Sequence, residues 1–179
     1  MKPFPNKKYK IIYADAPWTY NNPKNNDPKM GGITYPTMSD EEINSLPIKD
    51  ICEENCALFL WATMPKLQEA LNVINAWGFK YTTCAFVWIK TNPKGKGIYS
   101  GLGHWVNGNA ELCLFAKKGR PIRICKNIKQ IVLEPRGKHS AKPNEVKKRI
   151  VRLIGDLPRI ELFARERTEG WEVWGNEIE

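Results

Sequence analysis

The sequence predicts an α/β fold with a mainly parallel sheet, helices on both faces and one antiparallel hairpin. Apolar runs typical of buried strands alternate with segments whose apolar residues recur at helical spacing. Capping residues or prolines begin those helical segments, and glycines end two of them. The 179 residues suffice for a single domain with a substantial core, and no boundary divides residues 1–179.

The first strand and the first helix are separated by a long polar stretch. Residues 1–8 are rich in Pro and Lys and predict a loose lead-in, and residues 9–13 predict the first strand. Residues 19–38 are dense in Asn, Pro, Lys and Gly, which is typical of a functional or mobile loop. Ser39 and Glu42 then have the spacing of a capping box, so we expect a short helix there.

The middle of the chain repeats the order strand, helix, strand. Residues 57–61 form a continuous apolar run, as expected for a strand covered on both faces. Residues 63–77 predict a helix, because Pro65 suits a first turn and Gly78 suits a stop. Residues 79–90 predict the next strand. This order favours a mainly parallel sheet.

The last third of the chain predicts a hairpin, a helix and further strands. Residues 111–116 and 121–125 predict an antiparallel hairpin, and residues 130–134 predict another extended segment. A helix should begin at Pro143 and end at Gly155. Two short strands follow, over residues 159–165 and 171–175.

Composition narrows the partners of the chain. Its net charge of +9 and pI of about 9.3 favour a polyanion such as nucleic acid, although charge also serves solubility. No apolar run approaches a membrane span, so we expect no membrane contact. Five cysteines, an odd number, predict reduced thiols and a cytoplasmic protein. Cys52 and Cys56 can lie one helical turn apart, but with only His104 and His139 elsewhere we expect no metal site.

Residues 14–18 should lie at the carboxyl end of the first strand, where open α/β sheets bind ligands. Asp15 supplies a carboxylate, and the turn at Ala16 and Pro17 exposes peptide carbonyls. Trp18 supplies a ring on which a base can stack, or it is simply part of the core. Tyr35 closes the polar stretch and either lines the pocket or anchors the loop.

A second polar loop, over residues 91–109, contains five glycines. Its basic groups suit a phosphate backbone and its rings suit bases, although a solvated loop has the same composition. The candidate nucleic-acid contacts are Lys90, Lys94, Lys96, Tyr99, His104 and Trp105.

From about residue 10 to its end, the chain resembles the MT-A70 family of S-adenosylmethionine-dependent adenine N6-methyltransferases. Ala-Asp-Ala-Pro-Trp at 14–18 is similar to the Asp-Pro-Pro-Trp signature of the family, with Ala16 in place of the second-position proline. The other similar blocks, in order, are Tyr-Pro-Thr-Met-Ser-Asp-Glu-Glu at 35–42, Leu-Phe-Leu-Trp at 58–61, Trp-Ile-Lys-Thr-Asn at 88–92, Gly-His-Trp at 103–105, Glu-Leu-Cys-Leu at 111–114, Lys-Pro at 142–143, Glu-Leu-Phe-Ala-Arg at 161–165 and Trp-Gly-Asn at 174–176.

The resemblance implies a Rossmann-like methyltransferase fold in circularly permuted motif order, and it assigns roles to residues. Arg165 would lie near the ribose of S-adenosylmethionine and Asn176 near its adenine. Glu111 is similar to an acidic position near the acceptor pocket, and Tyr35 to a pocket tyrosine. The implied cofactor-binding set is Asp15, Lys142, Phe163, Arg165, Arg167, Asn176 and Glu177.

The expected chemistry is methyl transfer to the N6 amine of adenine. Asp15 and the carbonyl of Ala16 would accept the two hydrogens of the amine and so free its lone pair. DNA is the first expected substrate, in a bacterial or phage-like setting, and RNA is the second. The alternative from another class is a catalytically silent nucleic-acid-binding partner subunit, and by family analogy a homodimer is possible.

Overall fold

The computed structural model describes residues 3–20, 36–93, 96–101, 105–137, 141–176 and 178. Within them, seven strands form one sheet in the order β5-β3-β4-β2-β1-β6-β7. β4 runs antiparallel to β2 and β3, and the other strand pairs are parallel, so the predicted mainly parallel sheet is confirmed. The strands are β1 (Tyr9–Ala14), β2 (Cys52–Ala62), β3 (Lys80–Thr91), β4 (Ala110–Lys118), β5 (Ile131–Pro135), β6 (Arg159–Leu162) and β7 (Glu172–Trp174).

The predicted hairpin partner of β4 is wrong. Residues 121–125 are irregular, because both edges of β4 are already paired with β2 and β3 and leave no edge for a hairpin. The segment instead attaches to the end of a helix: the backbone N–H groups of Ile124 and Cys125 donate to the carbonyl oxygen of Leu153, at 2.9 and 3.4 Å.

Three α-helices accompany the sheet within the described residues, namely α1 (Asp40–Asn44), α2 (Leu67–Ala76) and α3 (Asn144–Ile154). The capping box of α1 is confirmed: the N–H of Ser39 donates to Oε2 of Glu42 at 2.7 Å, and the N–H of Glu42 donates to Oγ of Ser39 at 3.2 Å. α2 begins four residues later than expected, after a 3₁₀ turn over Met64–Lys66. Pro143 precedes α3 and Gly155 follows it, as the sequence predicted.

The helices cover both faces of the sheet and create two hydrophobic cores. Alternate residues of β1 point to opposite sides, as the period of a strand requires. Ile12 and Ala14 belong to the core that includes α1 and α2, whereas Ile11 and Tyr13 belong to the core that includes α3. None of the described helices combines the length and apolar character that a membrane span requires.

Two local predictions also differ from the structure. The lead-in is docked, not loose: the ring of Phe4 stacks on Trp174, with ring centroids 4.1 Å apart, because the end of β7 offers it an aromatic partner. Cys52 and Cys56 lie in strand β2, not one helical turn apart. β2 bulges between them, since Tyr9 pairs with Cys52 while only two residues later β1 pairs with residue 57.

Candidate active site

The site forms where β1, β6 and β7 end side by side. Ala14 pairs with Leu162, which pairs with Trp174, so the last residues of three parallel strands are in register. The residues that follow, including Asp15 and Phe163, therefore meet at the carboxyl edge of the sheet. This is the edge at which open α/β sheets bind their ligands.

A cavity of about 300 Å³ opens at this edge. Five of the residues that line it were predicted from the sequence for catalysis or cofactor binding. They are Asp15, Pro17, Phe163, Arg165 and Asn176. The sequence reasoning did not assign the remaining lining residues to the site, which are Pro36, Thr37, Met38, Glu42, Ala164, Trp174 and Gly175.

Unusual backbone geometry shapes one wall of the cavity. Phe163 has a φ of +60°, a left-handed conformation that bulky residues rarely adopt, and β6 ends just before it. The N–H of Ala164 donates to the carbonyl oxygen of Trp174 at 3.1 Å. A Cβ at Gly175 would lie 2.6 Å from the carbonyl oxygen of Ala164, so this close approach of two backbones requires glycine.

Four alternating charges extend from the cavity into the protein. Nζ of Lys142 donates to Oδ2 of Asp15 at 2.6 Å and lies 3.3 Å from Oε2 of Glu111. Nζ of Lys90 donates to the other oxygen of Glu111 at 2.5 Å. Asp15 follows β1, Glu111 and Lys90 lie on the adjacent strands β4 and β3, and Lys142 lies just before α3, so four parts of the chain meet in this network.

Electrostatic pairing keeps the buried members of the network charged. Burial raises the pKa of Glu111, but Lys142 and Lys90 outweigh it and hold that pKa below its ordinary value of 4.5. Burial likewise lowers the pKa of Lys142, yet Asp15 and Glu111 outweigh it and raise that pKa above 10.5. At neutral pH Glu111 is therefore a carboxylate and Lys142 an ammonium group.

Trp18 differs from its first predicted role. Its side chain is only 3% exposed and belongs to the core that includes α1 and α2, so it presents no open face for a base. The sequence had left this core interpretation open, and hydrophobic packing decides it. The backbone N–H of Trp18 donates to the carbonyl oxygen of Ala16 at 2.9 Å, which leaves that oxygen one further lone pair.

The structure describes four of the six predicted nucleic-acid contacts, and their surroundings differ. Lys90 is committed to Glu111, whereas Lys96 is exposed. The ring of Tyr99 lies 4.0 Å from the guanidinium carbon of Arg136, a residue that the sequence reasoning had not singled out. The side chain of Trp105 is 98% exposed.

Five predicted residues remain. Arg167 is exposed and does not line the cavity. Four others fall outside the described residues, namely Tyr35, Lys94, His104 and Glu177. Among the described residues, no three His, Cys, Asp or Glu side chains are close enough to hold a metal ion.

The described residues form an α/β fold with a cavity at the carboxyl edge of its sheet. Comparison with known families makes the assignment specific, because the MT-A70 family model matches residues 9–177. The chain belongs to the MT-A70 family of methyltransferases.

Its relatives differ in how much of them the chain covers. It is 34% identical to the Type II methyltransferase M.MunI of Mycoplasma sp., over 97% of this chain and 79% of that protein. It is 32% identical to the N(6)-adenosine-methyltransferase catalytic subunit METTL3 of Homo sapiens, over 96% of this chain and 28% of METTL3. With the MT-A70-like protein of Drosophila melanogaster it shares 31% identity, over 96% of this chain and 27% of that protein. The chain thus spans about a quarter of the length of these two N(6)-adenosine-methyltransferase relatives.

Proposed function

We propose that the chain transfers a methyl group from S-adenosylmethionine to the N6 amine of adenine in DNA. The observation that carries this proposal is the position of Asp15. Its carboxylate lines the cavity, and Lys142 holds one of its oxygens, Oδ2. No described residue hydrogen-bonds the other oxygen, Oδ1, which is therefore free to accept a hydrogen from a ligand.

The groups around the cavity fit S-adenosylmethionine. Arg165 and Asn176 offer guanidinium and amide hydrogens for hydroxyl, carboxylate and ring-nitrogen acceptors. Phe163 offers an apolar ring, and at Gly175 the wall is bare backbone. The volume of about 300 Å³ lies at the lower end of the range for small-molecule sites. When bound there, the cofactor supplies a methyl group on a positively charged sulfur.

Two oxygens of the chain would activate an adenine amine. The amine is a poor nucleophile because its lone pair is delocalised into the ring. Oδ1 of Asp15 would accept one amine hydrogen, and the carbonyl oxygen of Ala16 would accept the other through its free lone pair. Both contacts draw the nitrogen toward tetrahedral geometry, and Oδ1 can take the proton that the nitrogen loses after methylation.

Lys142 supports the role of Asp15, in addition to the cofactor-binding role that the family resemblance implies. By binding Oδ2 it fixes the orientation of the Asp15 carboxylate. An ammonium group has three hydrogens, and two point to Asp15 and Glu111. Lys142 is not among the residues that line the cavity, so the cofactor contact that the family resemblance implies for it stays a prediction.

DNA is favoured over RNA by the extent of the match. The relative covered over most of its own length, M.MunI, is named a Type II methyltransferase, which supports DNA as the polymer. METTL3 and the other N(6)-adenosine-methyltransferases support RNA adenosine as the second candidate. A catalytically silent subunit is less well supported, because Asp15 is present and its Oδ1 faces no competing donor among the described residues.

Replacing Asp15 tests the proposal. Asp15→Ala should lower methyl transfer from tritiated S-adenosylmethionine to adenine-containing DNA by at least about 100-fold, because it removes the oxygen that accepts the amine hydrogen. Asp40→Ala is the matched control, since Asp40 also binds a buried lysine, Lys66, at 3.2 Å but does not line the cavity. Full activity of Asp15→Ala would overturn the mechanism.

A second measurement identifies the polymer. Nucleosides from DNA and from RNA, each incubated with the wild-type chain and cofactor, would be separated and measured by mass spectrometry. N6-methyladenine in DNA alone is the expected result, and methylation of RNA alone would reverse the choice.

A further inference from the structure

A group of exposed positive charges lies along α3 and the segment beside it, outside the charged network of the cavity. Between Glu111 and Glu134 the sequence contains no Asp or Glu. Part of this stretch, the irregular segment over residues 121–130, lies beside α3. Five exposed cations occupy the segment and the outer side of α3, and we call them the α3 basic face: Arg123, Lys126, Lys129, Lys148 and Arg152.

Backbone contacts join the two parts into one surface. Near one end of the segment, the N–H of Ile124 donates to the carbonyl oxygen of Leu153 at 2.9 Å. Near the other end, Nη1 of Arg149 donates to the carbonyl oxygens of Lys129 and Ile131, at 2.8 and 2.7 Å. The segment is therefore fixed along α3 at both ends.

Spacing along α3 completes the surface. Lys148 and Arg152 are four residues apart, which places them on the same side of the helix, about 6 Å apart along its axis. The buried residues of α3, including Val146 and Ile150, lie on the opposite side. The cations therefore point to solvent beside the segment.

None of these five cations forms an ion pair with a described residue. The nearby carboxylates are already used by other arginines: Glu145 binds Nε of Arg149 at 2.8 Å, and Asp156 pairs with Arg159. The face thus carries five unneutralised positive charges, more than half of the net charge of +9. Such a surface attracts a polyanion and gains free energy by releasing its counterions.

We propose that the α3 basic face binds the phosphate backbone of the nucleic acid at a distance from the methylated base. The inference rests on the proposed function, because α3 begins just after Lys142 of the candidate active site and runs away from it. A long duplex whose target base enters the cavity can place its flanking phosphates along this face. The face would then contribute affinity without contributing to the chemistry.

The test compares two variants of the full chain with equal net charge. In the face variant, the five cations of the α3 basic face are replaced by Gln. The control variant replaces five exposed lysines on other surfaces by Gln, namely Lys8, Lys10, Lys49, Lys80 and Lys117. None of these lysines forms an ion pair with a described residue. Each set of five replacements lowers the net charge from +9 to +4.

Binding of a fluorescent 40-base-pair duplex would be measured by anisotropy at several salt concentrations. If all five cations contact phosphates, the slope of log K against log salt should become shallower by about 4.5 in the face variant, since each contact contributes about 0.9. The control variant should change much less. Equal slopes in the wild type and the face variant would overturn the proposal, as would equal changes in the two variants.

Methyl transfer separates this inference from the proposed function. In the face variant the KM for the long duplex should rise while kcat stays that of the wild type, because the cavity is untouched. If the wild type transferred no methyl group but the slopes still differed as expected, the proposed function would fail and the basic face would stand. A fall in kcat with unchanged KM would contradict a backbone-binding role for the face.

Discussion

Two buried lysines, in different parts of the molecule, have the same electrostatic arrangement. Lys66 lies 3.2 Å from Oδ2 of Asp40 and 3.1 Å from Oε1 of Glu69. Lys142 similarly lies between two carboxylates in the candidate active site. For both lysines burial lowers the pKa, and for both the carboxylates outweigh it and leave the pKa raised.

The two arrangements differ in what their carboxylates can still do. The partners of Lys66 join α1 to α2, and none of the three residues lines the cavity. Of the partners of Lys142, Glu111 is only 9% exposed and is bound by a second lysine, whereas Asp15 lines the cavity and its Oδ1 has no hydrogen-bond partner among the described residues. A buried charge with an ion-pair partner therefore does not by itself mark a functional site. It does so when a cavity gives a ligand access to a group that the pairing leaves available.

Removing each lysine should have the largest effect and should separate the two cases. Lys142→Met leaves Asp15 without its cation and the buried Glu111, only 9% exposed, with Lys90 alone, so we expect a loss of about 3–5 kcal/mol in the free energy of unfolding. Lys66→Met leaves carboxylates that are about a third exposed, so we expect about 1–2 kcal/mol. Urea unfolding of both variants measures the difference.

Activity per folded molecule distinguishes the roles further. Lys142→Met should lower methyl transfer at least about tenfold, because Asp15 loses the group that fixes its orientation. Lys66→Met should retain wild-type transfer. Equal losses of stability and activity in the two variants would show that the two lysines do not differ in the way the structure indicates.

The sequence could predict the carboxyl edge of β1 as a site, because a strand followed by Asp15 and Pro17 is a local pattern. It could also predict the capping box of α1, since Ser39 and Glu42 are three residues apart. Family resemblance supplied Phe163, Arg165 and Asn176, which the cavity brings together with Asp15. These predictions depend on residues that are near one another in the chain or on ordered motifs.

Other features were not predictable because they depend on distant parts of the chain meeting. The pairing of Lys90 with Glu111 requires the register of β3 against β4. The sequence left the stacking and core roles of Trp18 open, because its burial depends on distant parts of the chain that form the same core. Glu42 gave a signal only as a capping residue, and nothing nearby in sequence placed it at the cavity rim.

Neutralising one carboxylate from each arrangement should cost less stability than removing the lysine, and the active-site variant should again lose more than its control. Glu111→Gln leaves Lys90 without its carboxylate and Lys142 with only Asp15, so we expect a loss of about 2–3 kcal/mol. Glu69→Gln is the matched control and should cost about 0.5–1 kcal/mol, because Asp40 still binds Lys66 and Glu69 is partly exposed. A larger loss in Glu69→Gln, measured by urea unfolding, would reverse the order.

The smallest effect concerns pH and compares Glu111 with a third buried pair, Glu161 and Lys147, whose atoms approach to 2.5 Å. Glu111 faces two lysines, which lower its pKa against burial. Glu161 faces one lysine, and burial, helped by the negative charges of Asp15 and Glu166, raises its pKa. The second lysine at Glu111 and the two nearby carboxylates at Glu161 therefore both contribute to the opposite directions of the shift.

The two directions give opposite pH dependences of stability. A lowered pKa means that the folded state favours ionised Glu111, so its stabilisation is present above pH 4.5 and is lost as the pH falls through the folded pKa. A raised pKa means that ionised Glu161 is disfavoured on folding. Its penalty therefore develops as the pH rises from 4.5 through the folded pKa.

Unfolding free energies of the wild type, Glu111→Gln and Glu161→Gln between pH 3 and pH 7 measure this contrast. Relative to Glu111→Gln, the wild type should lose stability only on the acidic side of pH 4.5. Relative to Glu161→Gln, it should lose stability as the pH rises above 4.5. Difference curves that slope in the same direction would show that the second lysine at Glu111 does not determine its ionisation, and the contrast between a doubly and a singly paired carboxylate would fail.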